Sequence, residues 1–122
     1  MSRARVLLGK TGEDLACREL ERRGYEILAR RYRIRGAELD IVARDGRTLV
    51  FVEVKTRDGA GFGDGAEAVT RWKQRRNVLA AKHFLMMHRL YDCPCRFDVV
   101  SVRVDGGRPE IDVFPNAFLA DG

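Results

Sequence analysis

The sequence has no apolar run approaching the roughly 20 residues that a bilayer helix needs, which argues against a helical membrane protein. Its first residues, Met1 to Leu8, are basic and then briefly apolar, too short a stretch for a secretory signal. Cysteine is scarce. Cys17, Cys93 and Cys95 form no even set, so a disulfide framework is not expected and a reducing cytoplasm is. Cys93-Pro94-Cys95, even with His83 or His88, lacks the two-residue spacing and second pair of a structural zinc site. No Gly-Lys-Ser/Thr follows the glycines, so there is no P-loop. Internal repeats and low-complexity linkers are also missing, and the 122 residues are read as one domain, 1–122.

Positive charge is in excess, 23 Lys and Arg against 18 Asp and Glu, with a net +5 and a pI near 9.5. That balance suits a polyanionic partner such as nucleic acid, though many basic proteins bind none. Hydrophobic content of 45% with 34% charged residues suits a soluble globular chain.

The informative stretch is Thr48 to Arg57, T-L-V-F-V-E-V-K-T-R. Leu49 to Val54 is apolar and largely β-branched or aromatic, a buried strand by composition. Glu53 and Lys55 interrupt it two residues apart, so they share one face. Buried charge needs a partner or a metal. Upstream, Glu38 to Ala43 alternates polar and apolar, and Asp45-Gly46 is a hairpin signal. With Asp45 and Gly46 as the two loop residues, Asp40 faces Phe51 and Glu38 faces Glu53. Asp40 and Glu53 are then diagonal neighbours about 7–8 Å apart, within reach of one bridging ion. A three-residue loop would instead turn Asp40 to the other face.

Thr11 with Asp14 three residues on reads as a capping box, opening a helix that stops at Gly24. Glu13 shares a face with Ala16 and Leu20. It is either a site acid or simply an acid complementing the first turn of a helix. Tyr25 to Tyr32 is a strand, and Arg30, Arg31, Arg33 and Arg35 around its end form either a solvated edge or a phosphate patch. Four glycines from Gly59 to Gly65 mark a loop, with Phe62 as a stacking or anchoring residue. Ala66 to Leu90 reads as a long helix with a core stripe of Val69, Trp72, Leu79, Ala80, Phe84, Met87 and Leu90. Arg71, Arg75, Lys82 and Arg89 gather on another face. Lys73 and Gln74 are placed to reach the Glu53 region. Strands follow at Arg96 to Val104 and Glu110 to Phe114, joined by a turn at Asp105-Gly106-Gly107, and Asp98 reads as a structural acid. The order helix, three strands, helix, two strands gives an α/β or α+β sandwich.

Asp40 followed by Glu53-Val54-Lys55 on the next strand resembles the PD-(D/E)xK nuclease pattern, and Gly12-Glu13 resembles the helix-borne acid that many of those nucleases add. Gly12-Glu13-Asp14-Leu15-Ala16, Arg23-Gly24-Tyr25, Glu38-Leu39-Asp40, Phe51 to Arg57, Phe62-Gly63, Ala68-Val69 with Lys73, and Arg96 to Val100 resemble the YraN-type family of bacterial predicted endonucleases. The likeness runs through nearly the whole chain in order. Two positions depart from it. Ala37, preceded by Gly36, stands where the family usually has Gly before the Glu-x-Asp. Arg31 stands where Asn is common.

The resemblance implies a restriction-endonuclease-like three-layer α/β sandwich, with a mixed central sheet containing an antiparallel hairpin. It implies hydrolysis of phosphodiester bonds in DNA, branched or repair intermediates among them. Mg²⁺ or Mn²⁺ would be held by Asp40, Glu53, Glu13 and the Val54 carbonyl. Such an ion polarises phosphoryl oxygens and acidifies water, and Lys55 would orient or deprotonate that water. Arg31, Arg33, Arg35, Arg57, Lys73 and Arg75 are the expected nucleic-acid contacts. A homodimer is compatible with this picture, as is a nucleic-acid-binding module with little turnover. A purely structural Lys55–Glu53 pair is the third reading.

Overall fold

The computed structural model describes residues 3–58, 69–104 and 107–120, without the side chains of 3–10 and 58. The glycine loop with Phe62, the first residues of the expected long helix and the turn at 105–106 lie outside the described residues. Two helices and five strands follow in the order α1 (Arg3–Arg22), β1 (Glu26–Ile34), β2 (Ala37–Asp45), β3 (Thr48–Asp58), α2 (Arg71–Met87), β4 (Cys95–Val104) and β5 (Glu110–Phe118). The strands form one sheet in sequential order, antiparallel except where β3 pairs with β4 in parallel. A parallel pair needs a crossover, and α2 supplies it. The fold is a restriction-endonuclease-like α/β sandwich with one helix on each sheet face.

Strand residues alternate between two cores. Ala16, Cys17 and Leu20 of α1 pack on Ile41, Ala43, Val50, Val52, Val100 and Val102. Ala80, Ala81 and Phe84 of α2 pack on Leu39, Val42, Leu49, Phe51, Phe97 and Val99. Phe51 lies between Phe84, met edge-on at 6.2 Å, and Phe97 at 5.5 Å. β3 and β4 contribute to both cores, which is why they read as near-continuous apolar runs.

Three expectations need correction. Thr11 lies inside α1, eight residues after its start, so it does not cap the helix. Asp14 instead binds Arg30 NH2 at 2.5 Å. The other end is as read: Gly24 has φ +93°, and the Tyr25 N–H donates to the Leu20 carbonyl, the left-handed termination glycine permits. α2 is rotated from the expected stripe. Asn77, Ala80, Ala81 and Phe84 face inward, while Trp72, Leu79 and Met87 are 59%, 51% and 62% exposed. Two adjacent alanines let the helix approach the sheet more closely than Trp and Met would. Finally, the β2–β3 loop is Gly46-Arg47, because Asp45 pairs with Thr48. Phe51 therefore opposes Val42, not Asp40. The slip is two positions, so the paired residues from Ile41 to Asp45 keep their faces.

Candidate functional site

The ladder between β2 and β3 runs in register from Asp45–Thr48 to Ile41–Val52. Asp40 follows at the end of that ladder, with its carboxyl beside that of Glu53. There the strand alternation slips: Leu39 and Val42 both reach the α2 core, and Ile41 reaches the α1 core. On the other side of β2, Arg31 takes φ +53°, a region where Asn is at ease and Arg is uncommon. Two residues on from Val52, the Val54 N–H donates to Asp40 Oδ2 at 2.7 Å. Val54 thus enters the site through its amide. Gly36 makes the turn before β2 with φ +81°, and Ala37, 2% exposed, pairs with Ile34. Gly36 thus supplies the positive φ, and the Ala37 departure leaves the approach to Asp40 intact.

Asp40 and Glu53 are close and poorly hydrated. Glu53 is 5% exposed. Burial first, and the Glu53 charge second, push the Asp40 carboxyl up to about 8; the Val54 amide opposes this, and a hydrogen bond with Glu53 adds to it. Burial and a neighbouring carboxylate both disfavour the charged form of Asp40. Lys55 lies two residues along β3, opposite Ser101 of β4. Burial, then the charge of Lys73, push its ammonium below the usual lysine range, against the pull of Glu53. Glu53 makes a short ion pair with Lys73 of α2, Nζ to Oε1 at 2.8 Å; burial lowers the Lys73 pKa, but the hydrogen bond and charge of Glu53, with the charges of Asp40 and Glu38, leave it raised.

Glu13 comes to the same end of the sheet on α1. Gly12 makes this possible, since a Cβ there would lie 2.1 Å from Thr56 Oγ1 of β3. Glu13 contributes to the rise in Asp40, but its carboxylate is held by Arg31 Nε at 3.0 Å. Among the described residues, no three His, Cys, Asp or Glu are grouped closely enough to hold a metal ion. The grouped acids are thus a pair, Asp40 and Glu53, with Glu13 turned to arginine.

The expected phosphate contacts are dispersed. Arg31 binds Glu13, and Arg33 pairs with Glu38 at 3.2 Å. Arg35 is exposed in the β1–β2 turn, Arg57 is half-buried near the end of β3, and Arg75 is exposed on α2. Arg75 lines a shallow cleft of about 230 Å³ with Gln74, Val78, Lys82 and Leu119. The sequence pointed to Lys73 through its place at the helix start. The Val54 amide contact and the Arg31–Glu13 pair carried no sequence signal, because one is backbone and the other depends on a positive φ. No described helix is long and apolar enough to cross a membrane.

The model of Uncharacterised protein family UPF0102 matches residues 12–102. The chain belongs to the UPF0102 family. A UPF0102 protein of Geobacter metallireducens is 51% identical over 111 residues, 91% of each chain. That of Syntrophotalea carbinolica is 48% identical over 122 residues, 100% of this chain and 99% of the other. One from Dechloromonas aromatica is 45% identical over 113 residues, 93% and 89% of the two chains. The UPF0102 segment opens at Gly12, where α1 meets β3, and contains Glu13, Asp40, Glu53, Lys55 and Lys73, while β5 lies beyond it.

Proposed function

We propose that the chain is a metal-dependent nuclease of the PD-(D/E)xK kind, hydrolysing phosphodiester bonds in nucleic acid, DNA first among candidates. One observation carries the reading: Asp40 lies against the buried Glu53, with Lys55 two residues along the same strand, at one end of the sheet. The pair fits Mg²⁺ or Mn²⁺, which are commonly bound by one or two carboxylates with water and phosphate completing the shell. When bound, such an ion would supply positive charge to phosphoryl oxygens and acidify water. Asp40 and Glu53 would hold it, the Val54 amide would fix the Asp40 rotamer, and Lys55 would accept or donate a proton at Nζ. A lysine whose pKa is lowered by burial suits that role.

The test is a panel of labelled linear, branched and flapped DNAs incubated with Mg²⁺ or Mn²⁺. Cleavage is expected, and Lys55→Ala should slow it by about 10²-fold or more with Mn²⁺ binding retained. A parent protein inert on every substrate, or a Lys55→Ala variant as fast as the parent, would overturn the reading.

A nucleic-acid-binding module without turnover is the second reading. Glu13 and Glu53 each already have a cation of the chain as partner, Arg31 and Lys73. Metal-independent binding that falls steeply with salt, with no cleavage, would favour it.

A further inference from the structure

We infer that Lys73 is a built-in rival of the divalent cation: it occupies Glu53 in the metal-free protein and must leave before the ion binds. The inference rests on the metal site proposed above. A carboxylate as buried as that of Glu53 is costly without a partner. Its short partner comes from across the site, on the first turn of α2, with Nζ 2.8 Å from Oε1. A divalent ion on the same oxygen would sit about 2.1 Å away, so the ammonium and the ion would compete for one place.

Lys73 is built to yield. Its backbone is anchored, since Thr70 Oγ1 accepts the Lys73 N–H at 3.2 Å and Gln74 Nε2 donates to the Val69 carbonyl at 3.0 Å. Its side chain is 40% exposed, against 6% for that of Glu53. The four-carbon stem can therefore swing the ammonium into water without disturbing the helix. Lys55 already stands at the same edge with its own positive charge, so the arriving ion would be repelled by two ammonium groups, and the exposed one departs. Once released, Lys73 is free to meet a phosphate at the site it vacated. Ion and phosphodiester should then load cooperatively, each binding better in the presence of the other.

The test is calorimetric titration with Mn²⁺ of the parent, Lys73→Met, Lys73→Gln and Lys73→Arg. Removing the charge should tighten Mn²⁺ binding by about tenfold in Met and Gln, and Arg should stay near the parent. A structural role would move affinity the other way. Folded Met or Gln variants with unchanged or weaker binding overturn the inference while leaving the metal site standing. No binding in any of the four overturns the metal site and the inference together. A second readout uses only the parent, the ¹⁵N ammonium resonance of Lys73. It should be observable without metal and lost or shifted at saturating Mg²⁺. A resonance unmoved by saturating Mg²⁺ overturns the inference even where the variants fail to fold.

Discussion

The sheet buries carboxylates at two places and treats them in opposite ways. On β4, Asp98 is fully buried and surrounded by donors. Arg96 reaches it through Nε at 3.0 Å and NH2 at 3.2 Å, and the Asn116 N–H adds a bond at 2.9 Å. Arg96 is in turn held by Asp45 and by the Tyr25 hydroxyl. On β2 and β3, Asp40 and Glu53 face each other, with one amide and one half-exposed lysine between them. The first arrangement is complete and ties β2, β4 and β5 to Tyr25, just before β1. The second crowds two carboxyls, one pushed towards its neutral form and the other leaning on a single half-exposed lysine. Strained titration of this kind clusters at functional sites, and the contrast supports the proposed assignment of Asp40 and Glu53 to chemistry.

If the contrast is sound, the largest loss of stability comes from the complete site. Asp98→Ala leaves the Arg96 guanidinium without its main partner and should cost about 3–5 kcal/mol. Thermal melting should fall by more than about 10 °C. A shift of only a few degrees would place Asp98 on the same footing as the strained acids.

Gly12→Ala is expected to cost less, about 1–3 kcal/mol, because the new Cβ strikes Thr56 at the α1–β3 contact. Gly12→Ala with Thr56→Ala should recover part of the loss in a melting experiment. No recovery would move the cause from that contact to the helix itself.

The smallest effect distinguishes the strained site in kind. Asp40 has its folded pKa raised far above the unfolded value. Between those two values the folded state holds a proton that the unfolded state has lost, so stability contributed below pH 4 is lost as pH rises towards 8. Metal-free protein should melt lower at pH 8 than at pH 5, and Asp40→Asn should flatten that slope. At pH 8 the variant should match or exceed the parent by about 1 kcal/mol. An unchanged slope in Asp40→Asn would assign the titration elsewhere.

Much of this was readable in the sequence. Element order, the termination at Gly24, the closeness of Asp40 to Glu53, and the structural character of Asp98 follow from period, glycine placement and charge in apolar runs. What was misread has physical causes. Asp-Gly marks a hairpin but not which residues form its tip, and a tip at Gly46-Arg47 rather than Asp45-Gly46 sets Phe51 against Val42 instead of Asp40. The α2 stripe placed Ala80 and Phe84 correctly but added the bulky Trp72, Leu79 and Met87, which are exposed, where the sheet accepts Asn77 and Ala81. Thr11 resembled a cap because an N-cap pattern carries no information on whether a helix has already begun. The partners of Glu13 and Glu53 come from elements 18 and 20 residues away, a distance over which local pattern is silent.

The central claim is that the strained pair is an ion site. Its most direct test is a calorimetric titration of Mn²⁺ near pH 7.5 into the parent, Asp40→Ala and Glu53→Ala, each first shown to be folded by melting. Binding in the parent with release of a proton, lost in both variants without loss of fold, is the predicted result. A folded parent with no Mn²⁺ binding up to millimolar concentration, or an Asp40→Ala variant that binds like the parent, would contradict it.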